Sequence, residues 1–174
     1  MITIRDFTPD DLEAITRIYS RHVLHGTATF EETPPTIEEM LERFRKIRAL
    51  GLPWLTGEVD GETVGYAYAD RFRERSAYRF TLENSVYIEP THLRRGVGRA
   101  LMRELIARCE ALGYRQMIAV IGDSANLASI GLHRAVGFED VGVYKAVGMK
   151  FGRWLDVVLM QKKLGEADTS IPKG

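Results

Sequence analysis

The chain contains a single cysteine, Cys109, among 174 residues. One thiol excludes an internal disulfide and a cysteine cluster for zinc, and its place in an apolar helical pattern reads as a small core residue. No apolar run approaches the ~20 residues that span a bilayer. The amino-terminal MITIRDF alternates like a strand and lacks the charged-then-apolar pattern of a secretion signal. A cytoplasmic protein is the expectation. Surplus charge is also missing: 24 basic residues balance 24 acidic ones, which leaves no general electrostatic footprint for nucleic acid. The four histidines, His22, His25, His92 and His133, include no pair at a ligand spacing such as HExxH, so no metal site is expected. Internal repeats and low-complexity segments are absent as well.

What is present is an ordinary soluble composition, 45% hydrophobic and 28% charged, on a length that suits one domain with a sizeable core. Residues 2–5 alternate as a first strand. Thr8, Pro9, Asp10 and Asp11 open a helix whose apolar residues (Leu12, Ile15, Ile18, Tyr19, Val23) carry it to about His22. A polar loop, 25–35, embeds Thr29 and Phe30. Thr36 and Glu39 form a capping box for a second helix, with Met40, Leu41, Phe44 and Ile47 on one face, ending before Gly51. Trp54–Val59 and Thr63–Ala69 are strands joined by the two-residue turn Asp60-Gly61. A basic loop, 70–78, leads to a long strand from Phe80 to Ile88.

The spacing then predicts a helix from Arg99 to about Leu112, stopped by Gly113. Met117–Ile121 is a continuous apolar run typical of a strand buried on both faces. A helix over Asn126–Val136 follows, and then strands Phe138–Val147 and Phe151–Lys162 joined around Gly148. The polar tail, 165–174, reads as disordered beyond a domain of residues 1–164. The order is β-α-α-β-β-β-α-β-α-β-β. The crossover between residues 80 and 121 implies parallel pairing and the hairpin at Asp60 antiparallel pairing. The fold class is therefore α/β in the broad sense (α+β): one mixed, mostly antiparallel sheet with helices on both faces.

The stretch Val86–Leu101, VYIEPTHLRRGVGRAL, is the organising element. It joins a strand, a turn with Gly96 and Gly98, and a helix start flanked by Arg94, Arg95 and Arg99. Such an arrangement gathers backbone N–H groups at the positive end of a helix dipole and suits a diphosphate. Two other readings of the glycines fail. A dinucleotide turn lacks its third glycine, since Leu101 stands there, and a Walker loop lacks its Gly-Lys-Ser/Thr.

This motif, the strand MIAVI and the segment NLASIGLHRAVGF together resemble the GNAT N-acetyltransferase superfamily over residues 1 to about 164. TATFEETP at 27–34, Glu83-Asn84-Ser85-Val86-Tyr87, AVIGDSANLASIGLHRAVGF at 119–138 and KFGRWLDVVLMQ at 150–161 look like its phosphinothricin N-acetyltransferase branch. That branch acetylates the amino group of small amino-acid analogues such as phosphinothricin, methionine sulfoximine and methionine sulfone. The resemblance implies acetyl-CoA as co-substrate, no metal, direct transfer in a ternary complex, and a homodimer. It places the diphosphate on residues 94–99 (Arg94, Arg95, Gly96, Val97, Gly98, Arg99) and the pantetheine arm against the backbone of Val86, Tyr87 and Ile88, where the next strand splays away, a splay often marked by a β-bulge. Asn126 falls at a position that contacts that arm. Leu93 departs from the usual Gln or Arg at the head of the loop, which shifts phosphate binding onto the backbone.

Glu83 matches the proposed base of the branch, and a carboxylate near mid-sheet is raised toward a useful pKa by desolvation. His133 falls where many relatives carry a tyrosine that protonates the leaving thiolate, and it shares a helix face with Asn126. An amino-acid acceptor brings a carboxylate, for which Arg73 and Arg75 are candidates together with Tyr78, Thr29 and Phe30. Trp154 reads as core or dimer interface. Two rivals remain open: an acceptor that is a peptide N-terminus or an aminoglycoside, and a non-catalytic acyl-CoA-binding module.

Overall fold

The computed structural model describes residues 1–172. It comprises β1 (Ile2–Asp6), α1 (Leu12–His25), α2 (Ile37–Ala49), β2 (Trp54–Val59), β3 (Glu62–Arg71), β4 (Thr81–Ile88), α3 (Val97–Ala111), β5 (Gln116–Gly122), α4 (Leu127–Ala135), β6 (Glu139–Lys150) and β7 (Arg153–Lys163). One seven-stranded sheet runs β1-β2-β3-β4-β5-β7-β6. Among the described residues β4 and β5 are parallel and every other neighbouring pair is antiparallel. The mixed sheet and the element order agree with the sequence reading.

The two faces of the sheet carry different cores. On one, Trp54 stacks on Tyr68 with ring centroids 4.2 Å apart and meets Phe44 of α2, while Tyr87 meets Tyr19 of α1 edge-on at 4.9 Å. On the other, Leu101, Met102 and Leu105 of α3 are fully buried. Gly57 and Gly65 let α3 lie close: a Cβ on Gly57 would stand 3.1 Å from Val97, and one on Gly65 3.4 Å from Leu101. Buried Asp11 ties α1 to the sheet through two 2.7 Å bonds from Arg5 and the hydroxyls of Thr56 and Thr63.

Local chemistry sets the element ends. Thr36 and Glu39 do form the reciprocal cap of α2, at 3.1 and 2.7 Å. Asp60 and Gly61 both have positive φ, as a two-residue hairpin turn between antiparallel strands requires. Helix α1 runs to His25 rather than His22, because Gly26 is the first residue to leave helical geometry. Helix α3 begins at Val97, two residues before Arg99, with Gly96 at φ 91° as its cap. The turn between β6 and β7 is Phe151-Gly152, both at positive φ, and Gly148 instead lies inside β6. The tail also differs from expectation over part of its length. Ala167 is buried, and turn bonds continue to Thr169. Lys173 and Gly174 lie outside the described residues.

Candidate active site

The site exists because β4 and β5 part company. They pair only over Thr81–Glu83 and Gln116–Ile118, while β5 continues against β7 for its whole length. No bulge marks the departure: β4 stays in unbroken register with β3 from Leu82 to Ile88. Glu89 donates its N–H across to Val64 of β3 at 2.8 Å. Successive residues of a strand turn their peptide groups to opposite sides, so Val86 and Ile88 turn theirs into the gap. His22 takes one of these groups, donating from Nε2 to the Ile88 carbonyl at 3.0 Å. Both peptide groups of Val86 and the N–H of Ile88 are left for a ligand.

Two adjoining cavities occupy the gap. One, of about 340 Å³, is lined by His22, Val86, Ile88, Leu93, Asn126, Ser129 and Leu132 among others. It reaches Leu93, just before the start of α3. There Val97, Gly98 and Arg99 present N–H groups with no partner inside the helix, beside exposed Arg94, Arg95 and Arg99. Gly98 packs against Leu132, 3.1 Å from where a Cβ would lie. An extended arm with a polyanionic head fits this slot. The second cavity, of about 290 Å³, is lined by Thr29, Phe30, Glu83, Asn84, Ser85, Tyr87, Asn126, Ser129 and His133 among others.

Glu83 projects from the α1/α2 face of β4. Burial lifts its carboxyl above the ordinary value of 4.5, Asp70 across the strand pair pushes the same way, and Arg73 opposes them. Among the described residues it has no hydrogen-bond partner. It also borders a third cavity, of about 370 Å³, with Arg73, Phe72, Val120 and Tyr144. Arg73 is thus brought to the carboxylate. Arg75 and Tyr78 are not: a tight turn over Ser76–Tyr78 sends them into a surface groove with Lys46 and Leu50, where Tyr78 packs edge-on against Phe72.

His133 stands on the other face of β4, buried to 2% exposure, with a partner at each ring nitrogen. Its Nδ1 lies 2.8 Å from the Ser129 carbonyl, which can only accept, so Nδ1 carries the hydrogen. Its Nε2 then accepts from Asn84 Nδ2 at 2.9 Å. Burial pushes the imidazole pKa below its ordinary 6.5. A neutral ring with both nitrogens engaged has no proton to hand to a thiolate. Asn126 also has a structural duty: it caps α4 through Ser129 N–H and donates to Gly122 O at 3.0 Å.

The loop between α1 and α2 roofs both cavities, and residues that the sequence reading left without a role hold it down. Lys150, 1% exposed, donates to the carbonyls of Gly26 and Thr29, each at 2.8 Å. Tyr19 bonds the Thr29 hydroxyl at 2.8 Å. The Phe30 ring lies in a socket made by Gly122 and Gly148, where a Cβ on either would come within 2.6 Å of it. Nothing in the periodicity singled out Lys150; its only signal was a lysine closing a strand whose neighbours are apolar. Trp154, 64% exposed, is not core. Cys109 is fully buried on α3, and burial pushes its thiol up to about 12, which removes it as a nucleophile.

Known proteins carry the same arrangement. A model of the acetyltransferase (GNAT) family matches residues 15–138. A phosphinothricin N-acetyltransferase of Alcaligenes faecalis is 57% identical over 98% of this chain and 87% of its own length. An L-methionine sulfoximine/L-methionine sulfone acetyltransferase of Salmonella typhimurium is 39% identical over 95% of this chain and 96% of its own. Among solved structures, a GNAT superfamily phosphinothricin acetyltransferase from Sinorhizobium meliloti in complex with AcCoA superposes with a TM-score of 0.96 at 50% identity, covering 99% of this chain and 93% of that one. A strand parted from its neighbour above a glycine-capped helix, on a sheet that superposes throughout, leads to one assignment: this chain belongs to the GNAT acetyltransferase family.

Proposed function

We propose that the protein transfers the acetyl group of acetyl-CoA to the amino group of a small amino acid or analogue of the phosphinothricin and methionine sulfone type. The observation that carries this reading is the gap between β4 and β5, which opens at one end on the α3 N-terminus and at the other on an unpaired, half-buried carboxylate. Acetyl-CoA supplies an activated acyl group. The first turn of α3, with Arg94, Arg95 and Arg99, receives its diphosphate, and the Val86 and Ile88 peptide groups align its arm.

An amine is mostly protonated at neutral pH and must lose a proton before it can attack a thioester. Glu83 accepts that proton, through water, with a pKa already moved toward the working range. The Val86 N–H faces the oxygen that gains negative charge. Arg73, beside Glu83, holds the acceptor's carboxylate, and Thr29 and Phe30 wall the acceptor cavity. Turnover of acetyl-CoA with methionine sulfone or phosphinothricin, read as thiol release, is the test. Tight acetyl-CoA binding without turnover of any small amino acid refutes the reading.

The same reading includes a homodimer. Val141, Val143, Tyr144, Val147, Met149, Phe151 and Trp154 expose 43 to 64% of their surface along the β6–β7 hairpin, a contiguous apolar edge that calls for a second copy. Sedimentation of the wild type and of a Tyr144→Ser/Trp154→Ser variant checks it: a dimer is expected for the first and a monomer for the second.

A further inference from the structure

Four residues line both the arm slot and the acceptor cavity: Ala28, Val86, Asn126 and Ser129. On the reading above, the arm fills one cavity and the amine the other. The bond that breaks joins them, so the reacting carbon and sulfur lie where these four meet. Some of the donors at that junction are already committed. One hydrogen of the Asn126 amide goes to Gly122 O. His133, next to the junction, gives its Nδ1 hydrogen to the Ser129 carbonyl at 2.8 Å and accepts at Nε2.

The Ser129 hydroxyl is different. Its oxygen lies 3.4 Å from His133 Nδ1, but that nitrogen carries a hydrogen and offers no lone pair. The Oγ hydrogen is therefore unspent, on a half-buried residue in the first turn of α4, at the positive end of a nine-residue helix. Three donors remain at the junction: the Val86 N–H, the second hydrogen of the Asn126 amide and the Ser129 O–H, of which only the hydroxyl rotates freely.

We propose that Ser129 is a catalytic residue whose hydroxyl donates a hydrogen bond to the thioester sulfur as the C–S bond breaks. The amine lone pair forms the C–N bond and the carbonyl oxygen takes up charge at the Val86 N–H. The C–S electron pair then passes to sulfur as the carbonyl re-forms. The nitrogen sheds its second proton to water, and the thiolate takes one from water after release. The serine gives no proton away, since its hydroxyl is a far weaker acid than a thiol, and is unchanged at the end. This assigns leaving-group stabilisation to a position four residues before the histidine where the resemblance puts it.

The proposal rests on the acetyl-transfer reading, and two measurements separate their failures. In turnover, Ser129→Ala is expected to lower kcat about tenfold or more with the KM for acetyl-CoA within about twofold, and Ser129→Thr to restore most of the rate. In calorimetry without an acceptor, the wild type is expected to bind CoA more tightly than desulfo-CoA, increasingly so above the ordinary thiol pKa of about 8.5, and Ser129→Ala to lose that preference. A Ser129→Ala protein that keeps kcat within twofold, or keeps the full preference for CoA over desulfo-CoA, overturns the role of Ser129. If the wild type turns over no small amino acid, the acetyl-transfer reading falls, and the CoA comparison still judges Ser129.

Discussion

Glu83 and His133 stand on opposite sides of β4, at the walls of one cavity, and burial moves them in opposite directions. Desolvation disfavours the charged form of either group, so it raises the carboxyl and lowers the imidazole. Their partners differ as well. Glu83 has none among the described residues, with Arg73 near but not bonded, whereas His133 has Ser129 on one nitrogen and Asn84 on the other. A group meant to move protons must be free to exchange them, and a group meant to hold geometry must not. By that criterion Glu83 is the base in the mechanism we propose, and His133 the brace that fixes Asn84 and the first turns of α4.

The largest effect expected from this contrast is on turnover. Glu83→Gln keeps the size and removes the base, and kcat/KM is expected to fall about 100-fold or more, the usual worth of a positioned general base. The acid limb of the pH–rate profile should vanish with it. Thiol release measured from pH 6 to 9 decides the point, and a variant with the wild-type rate throughout removes Glu83 as base. His133→Phe deletes any proton chemistry at the second site while keeping contact with Phe138, whose ring lies 5.0 Å away edge-on. Here the expected loss is about tenfold or less, from an Asn84 left without its partner, with the acid limb unchanged. A profile that loses a limb in this variant means that His133 titrates in catalysis, and the contrast fails.

The sequence showed one side of this comparison better than the other. Glu83 could be read from its place in a strand, because alternation fixes which face a strand residue takes and mid-sheet burial has one effect on a carboxylate. The order of elements along the chain, the capping box at Thr36 and the hairpin at Asp60 were legible for the same reason: each depends on local chemistry at short range. The surroundings of His133 were not legible, because they depend on what meets its two nitrogens, and Asn84 is 49 residues away in sequence. Lys150 was missed for a similar reason. Its partners, Gly26 and Thr29, are 124 and 121 residues away and are backbone carbonyls, which carry no side-chain signal. Arg75 and Tyr78 looked equivalent to Arg73 in a basic loop until the turn at 76–78 sent them elsewhere.

The roof of the cavities offers a middle-sized effect. Lys150→Met keeps the length of the side chain and leaves two buried carbonyls without donors, at a cost of about 1–3 kcal/mol. A lower urea midpoint and faster proteolytic cleavage within residues 26–30 are expected, with a raised acceptor KM because Thr29 and Phe30 lose their anchor. An unchanged acceptor KM at reduced stability would make Lys150 a fold residue with no bearing on the cavity.

The smallest effect is on stability against pH, and it tests the opposite shifts directly. Glu83 has a folded pKa above its unfolded one, so between the two values the folded state binds more protons and stability falls as pH rises. The resulting penalty is absent well below 4.5 and grows as pH rises above it. Glu83→Gln should therefore raise the melting temperature at pH 7 while lowering activity, with the gain fading toward pH 4. His133 has a folded pKa below its unfolded 6.5, so the unfolded state binds more protons as pH falls, and the histidine destabilises the fold only on the acid side. In His133→Phe the fall in stability between pH 6.5 and 5 should be shallower than in the wild type. Two melting series, one per variant, should thus differ from the wild type at opposite ends of the pH range. Equal differences at both ends would mean that the site's electrostatics are not set by burial.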